Sequence, residues 1–199
     1  KKKYTHSSNV NEKTLLNLEK FFETSIKRIN YDLRTLNTSF INEAKKLLPN
    51  NNYIGFSLTH ANEKRIKHWP LNKFIDLANI IETKNKIPVF FVEKTNQEII
   101  NEIKSKVPKA LFPEHHSSLA SPALVTALAS RLEMAISIDN GIMHMMSLSN
   151  VPMIVLFGPT KPEKFAPKKD KIIILDSKKL YKNSDISKIT VDDVIKHIL

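Results

Sequence analysis

The stretch AISIDNGIMHMMSLSNVPMIVLFGPT, residues 135–160, gathers residue types that can hold an anion or a sugar. An apolar run ends at Asp139, turns at Asn140 and Gly141, and continues into a short helical segment that carries His144. Free backbone N–H groups and the positive end of the helix dipole make such a turn an anion site. Asp139 can accept hydrogen bonds from sugar hydroxyls or hold the turn, and His144 falls one turn into the helix, on nearly the face of Gly141. The next apolar run closes on Phe157, Gly158, Pro159 and Thr160, which sets a second glycine turn and a hydroxyl near the same edge. Taken singly, Asp-Asn-Gly is a common turn, and a lone histidine on an apolar helix is more often a core residue. Two neighbouring strands that both end in such turns point to one mouth.

The remaining candidates are weaker. Gly55 joins Gly141 and Gly158 in or just after an apolar strand, which predicts loops of positive φ or close approach of backbone to a ligand, with turn chemistry or close packing as the plainer reading. Lys64, Arg65 and Lys67 form a basic loop ahead of Trp69 and Pro70, which are expected to pack and to start a helix. His115 and His116 are adjacent, so their rings point apart, and no carboxylate stands at ligand spacing; with Glu114 they read as a loop over the sheet edge. Lys161, Lys164, Lys168 and Lys169 read as a solvated loop, with donor phosphates, an anionic acceptor lipid or a membrane surface as the alternatives.

These residues need a scaffold. From Tyr53 onward short apolar runs alternate with longer amphipathic ones: strands at Tyr53–Leu58, Ile87–Val92, Ala110–Phe112, Met134–Ile138, Pro152–Phe157 and Lys171–Leu175. Between and after them come helices at Leu71–Glu82, Asn96–Lys106, Pro122–Arg131, Gly141–Ser149 and Val191–Leu199. This alternation, with strands apolar on both faces, predicts an α/β fold of Rossmann-like kind, a parallel sheet with helices on both faces. Such sheets bind ligands beyond the carboxyl ends of their strands. Upstream, residues 1–12 read as a polar linker, residues 14–29 as a helix that needs something to pack on, and Ser39–Leu48 as a second amphipathic segment. The division drawn is therefore 1–52, linker and helical segment, and 53–199, the Rossmann-like domain.

With 199 residues, 41% of them hydrophobic, the chain can bury one core but hardly two enzyme domains. It contains no cysteine, which removes disulfide frameworks, thiolate metal sites and cysteine nucleophiles. No apolar run is long enough to span a bilayer, and the chain reads as soluble. It begins without methionine, so a fragment lacking an N-terminal partner domain is the expectation. The net charge of +11 is mostly scattered lysine, and arginine stands only at Arg28, Arg34, Arg65 and Arg131, so no nucleic-acid partner is expected.

The run from Asp139 to His144, followed by Asn150-Val-Pro-Met-Ile-Val-Leu-Phe-Gly-Pro-Thr160-Lys-Pro, resembles the signature of glycosyltransferase family 9, which includes the ADP-heptose:lipopolysaccharide heptosyltransferases. Lys67-His-Trp-Pro70 with Phe74, Leu77 and Ala78 resembles that family's upstream block, and the resemblance covers about residues 53–170. It implies the C-terminal, donor-binding half of a GT-B fold preceded by linker helices. By position it implies donor binding by Lys67, Asp139, Asn140, Gly141 and His144, with Gly158 and Thr160 at the same edge. Glu98 is the nearest match to a glutamate that holds the ribose, although Glu93 and Lys94 replace the usual glycines of that loop. Asn140 stands where the family has threonine or serine.

The resemblance further implies an inverting, metal-independent transfer of a heptose-like sugar, with no cofactor, from a nucleoside-diphosphate donor, ADP-sugar favoured, to a lipopolysaccharide-type glycolipid acceptor. No catalytic residue is expected in this chain, since the family's base lies in the N-terminal domain, and the fragment is expected to be inactive alone. A cytoplasmic position, with peripheral contact at the inner membrane, is the matching localisation. The alternative is a non-catalytic Rossmann-like domain that binds a nucleotide or a protein partner.

Overall fold

The structure, a computed structural model, describes residues 9–27, 31–58 and 68–198. Among them five strands form one sheet: β1 (Tyr53–Ser57), β2 (Ile87–Phe91), β3 (Leu132–Ile138), β4 (Met153–Phe157) and β5 (Ile172–Asp176). All neighbouring pairs are parallel, and the order across the sheet is β2-β1-β3-β4-β5. The helices, in chain order, are α1 (Val10–Phe22), α2 (Thr38–Leu47), α3 (Leu71–Thr83), α4 (Gln97–Lys106), α5 (Pro122–Ala129), α6 (Gly141–Leu148), α7 (Pro162–Phe165), α8 (Ser177–Tyr181) and α9 (Val191–Ile195).

Because side chains alternate along a strand, near-continuous apolar runs feed two cores at once. Ile54, Phe56, Ile136, Ile138, Ile154 and Leu156 meet Phe74, Leu77 and Ile81 of α3, Ile100 and Ile103 of α4, and Val194 of α9. The residues between them, Tyr53, Ala135, Met153, Val155 and Phe157, meet Ala44 of α2, Leu124 and Leu128 of α5, and Met143 and Met146 of α6. The sheet is thus covered on both faces.

Gly55, in mid β1, is a packing glycine: a Cβ there would lie 2.4 Å from Leu132 Cδ1. No glycine adopts positive φ, contrary to one of the two expectations raised for them; among the described residues that conformation falls on Glu23, Asn85, Asn150 and Lys182. All four end helices or turns; Asn85 and Asn150 are of the type that visits this conformation with local hydrogen bonding, whereas Glu23 and Lys182 bear the cost of a Cβ there.

Most element boundaries differ from the sequence reading by one or two residues, and the larger differences fall at one short strand and at the first and last helices. The expected strand at Ala110–Phe112 is one bridge, Val89 to Leu111, because Pro113 opens a 3-10 turn immediately after it. Helix α1 starts earlier than expected, at Val10 inside the supposed linker, since the Asn9 side chain accepts from the Asn11 and Glu12 N–H groups. It also ends at Phe22, where Glu23 turns left-handed; residues 28–29 of the expected helix lie outside the described ones. The closing helix stops at Ile195.

The segment before β1 is built into this body. Leu48 is fully buried, and Arg131 fixes the turn that follows, donating to the carbonyls of Leu48, Pro49 and Asn50 at 3.0–3.2 Å and to Asn51 Oδ1 at 2.9 Å.

Candidate functional site

In this strand order the chain winds outward in opposite directions from β1 and β3, which opens a crevice at their carboxyl ends. The Asp139 turn follows β3 at that point. Asn140 is the N-cap of α6: its Oδ1 accepts from the Met143 N–H at 2.9 Å while its Nδ2 donates to Ser57 Oγ, at the end of β1, at 2.7 Å. One buried side chain therefore caps the helix and ties together the two strands that flank the crevice. Both polar ends of Asn140 are engaged in the fold, so its part at this position is to hold the turn.

The cap takes the Met143 N–H, and the N–H groups of Gly141 and Ile142 make no hydrogen bond among the described residues. Gly141 is exposed, and a Cβ placed there would meet nothing within 4 Å. Gly141 is the first residue of α6, at the end that carries the positive pole of the helix dipole. Asp139 is 9% exposed and acts electrostatically on His144. Partial burial lowers the His144 pKa, and the Asp139 charge opposes that lowering. The ring is thus neutral at pH 7, with one N–H to donate.

The turn after β4 lies next in the sheet. Gly158 is pressed against the segment before α9, where a Cβ would come within 2.7 Å of Ile186 Cβ and 2.8 Å of the Ser184 carbonyl. Its need for glycine is therefore close packing. Thr160 Oγ1 is buried and makes no hydrogen bond among the described residues. A buried hydroxyl without a partner is uncommon, and this one stands beside the mouth.

Beside the α6 N-terminus lies a pocket of about 350 Å³, lined by Val92 to Lys94 after β2, Glu114 and His115, Ala120 to Pro122, Val125 of α5, and Ile142 and Met145 of α6. His115 Nε2 is hydrogen-bonded to the Val92 carbonyl at 2.7 Å and its ring stacks on Phe112, which pins this loop to the end of β2. Burial pushes the Glu114 pKa up to about 7, and the neighbouring Glu93 carboxylate adds to the rise.

Of the residues expected from the sequence, Asp139, Asn140, Gly141 and His144 fall together at the crevice, with Gly158 and Thr160 on the adjoining turn. Glu98 is exposed in the first turn of α4 and is not part of the pocket wall; Glu93 and Lys94 are. Lys67, with Lys64 and Arg65, lies outside the described residues. Trp69 packs, as expected, with its Nε1–H donating to the Ile189 carbonyl at 2.8 Å. Lys168 and Lys169 precede β5, at the end of the sheet opposite the crevice, where Lys168 pairs with Glu12. The sequence does not mark Val125, Ile142 or Met145, because apolar residues at helical spacing read as core whether or not they also line a pocket, and Ser57 reads as one more residue of a buried strand.

A parallel sheet that winds outward from β1 and β3, with helices on both faces, is a Rossmann-like α/β domain. The chain belongs to glycosyltransferase family 9 (heptosyltransferase), whose family model matches residues 4–194. It is 28% identical over 111 residues to lipooligosaccharide heptosyltransferase 2 of Haemophilus influenzae, covering 55% of this chain and 32% of that protein. Its fold is similar to that of the E. coli heptosyltransferase WaaC with ADP (TM-score 0.71, 18% identity, 98% of this chain and 57% of that one). It is also similar to a family 9 glycosyltransferase from Veillonella parvula (TM-score 0.64, 21% identity, 79% of this chain and 50% of that one). The chain thus spans about a third to a little over half of the length of these relatives.

Proposed function

We propose that this chain is the donor-binding half of a glycosyltransferase that moves a heptose-like sugar from a nucleoside diphosphate, ADP favoured, to a lipopolysaccharide-type acceptor. The observation that carries the reading is the Asn140-capped turn at the β1/β3 crevice, which leaves the Gly141 and Ile142 N–H groups of α6 without a partner among the described residues, beside a pocket of nucleobase size. The diphosphate belongs at the α6 N-terminus and the base in the pocket. Asp139 and His144 then face the sugar and the departing phosphate, and the partnerless Thr160 hydroxyl gains a hydrogen-bond partner. Lys67 supplies a cation to the diphosphate, as the family resemblance implies.

Transfer builds negative charge on the leaving diphosphate, which fixed N–H dipoles, the lysine and the His144 N–H stabilise most in the transition state. In this reading the transfer is inverting and metal-independent, residues 1–52 lead in from an N-terminal domain that supplies the base, and the assembled enzyme works at the cytoplasmic face of the inner membrane. The chain alone then binds donor and does not transfer sugar.

Isothermal titration with ADP, UDP and ADP-heptose at moderate salt tests the site. Saturable binding of one nucleotide, weakened by Lys67→Ala and by Asp139→Ala, supports it; no binding, or equal salt-sensitive binding of every polyanion, rejects it.

A further inference from the structure

The Glu114 side chain stands half-buried in the pocket wall with no hydrogen bond or ion pair among the described residues, and the pocket around it is largely apolar. Partial burial in an apolar wall disfavours the charged form of such a carboxyl and leaves its polar atoms available to a ligand. The charged neighbours cannot meet it as a cation would. Across the pocket, the loop after β2 brings Glu93, a second carboxylate that disfavours ionisation of the first, and the Lys94 side chain pairs with neither. On its own loop His115 is engaged with the Val92 carbonyl, and α5 and α6 present Val125, Ile142 and Met145, with Ser121 and Pro122 ahead of them. The rest of the wall offers few groups able to read a base.

We propose that Glu114 is the base-reading residue of this site, acting as a neutral carboxylic acid whose O–H and C=O meet an adjacent acceptor and donor on the nucleobase edge. Adenine presents that pair as its ring N1 and exocyclic amine. The assignment rests on the donor-site reading above and adds to it the group that recognises the base. A carboxylic acid and a carboxamide both place a donor beside an acceptor, whereas a carboxylate can only accept. Binding therefore requires the proton on Glu114, and the raised acidity range makes that proton available near neutrality.

The test is ADP titration of the wild-type chain, Glu114→Gln, Glu114→Ala and Glu93→Gln at pH 6 and pH 8, with purine riboside 5′-diphosphate, which lacks the exocyclic amine, as the second ligand. Thermal unfolding of each variant checks that it is folded. Loss of the neutral form across this interval weakens wild-type binding about tenfold more than it weakens Glu114→Gln, since only the wild type ionises there. Comparing the two proteins cancels titration of the ligand's own phosphate and of His144. Glu114→Ala is expected to bind ADP about tenfold more weakly than wild type at pH 6 and to lose the preference for ADP over the purine analogue, which Glu114→Gln keeps.

Glu93→Gln should move the loss of binding to lower pH, because the carboxylate that helps to keep Glu114 protonated is gone. If ADP binds but the wild type and Glu114→Gln respond identically to pH, or Glu114→Ala keeps full affinity, this assignment fails and the donor site stands. If ADP binds none of the proteins at pH 6, the donor-site reading fails and takes the assignment with it.

Discussion

Asn140 and Gly141 divide the work of one turn. The asparagine side chain occupies the cap position and bridges to Ser57, while the glycine leaves space over the helix N-terminus. Removing each should have a different signature. Asn140→Ala loses the cap and strands Ser57, at a cost of about 1–3 kcal/mol in thermal or denaturant unfolding. Gly141→Ala should leave stability within about 0.5 kcal/mol of wild type, because an added Cβ meets no atom, yet weaken ADP binding by crowding the diphosphate. Gly158→Ala should do the reverse and destabilise by about 1–3 kcal/mol through contact with Ile186 and Ser184. Equal stability loss in both glycine variants would contradict these separate roles. The sequence makes the turn itself legible, since Asp-Asn-Gly after an apolar strand has few other readings. It hides the division of labour: Ser57 lies 83 residues from Asn140, and nothing in either residue type announces the pair.

The C-terminal segment is a strap packed into the core on the α3 and α4 face of the sheet, held by side chains that come from the start of α3. Trp69 Nε1–H and the Lys73 ammonium both donate to the Ile189 carbonyl, at 2.8 Å each, and Lys73 also reaches the Ser187 carbonyl. The same strap packs against Gly158, so its docking supports the turn after β4 that carries Thr160. Trp69→Phe keeps most of the apolar contact and deletes one buried hydrogen bond. The expected loss is about 1–3 kcal/mol, with hydrogen exchange rising first at residues 184–190 and in the Gly158 turn. Uniform exchange across the sheet would mean that the strap has no separate docking role. The alternating apolar runs disclose the parallel α/β architecture because each strand must satisfy two faces. The strap is illegible there, since its contacts are carbonyl groups that every sequence carries. Short elements such as α7 and α8 fail for a related reason: four or five residues hold too little of a helical period to distinguish them from loop.

For the molecule as a whole, the recessed Glu114 links stability to pH. Its folded pKa, about 7, stands above the ordinary 4.5, so the folded state holds a proton that the unfolded chain releases. The sign follows from linkage: the contribution is fully present below pH 4.5, is lost as pH rises towards 7, and is constant above that. His144 runs the other way. Its pKa is lowered on folding, so the stability it adds is present above its ordinary value of 6.5 and is lost as pH falls below it. The two partly cancel in the wild-type profile, and they separate when Glu114→Gln is measured beside it, because His144 is common to both proteins.

Without ligand, the two chains should melt together near pH 4.5, where the neutral acid and the amide are nearly equivalent. By pH 8 the wild type should be on the order of 2 kcal/mol less stable than the variant, a solvent-screened fraction of the full shift, or about 4–8 °C in Tm. A gap that does not change between those pH values would mean that Glu114 is solvated in the folded chain. A neutral acid that lowers stability only as it ionises is a liability to an empty domain, and it is tolerable in a site whose ligand holds the proton in place.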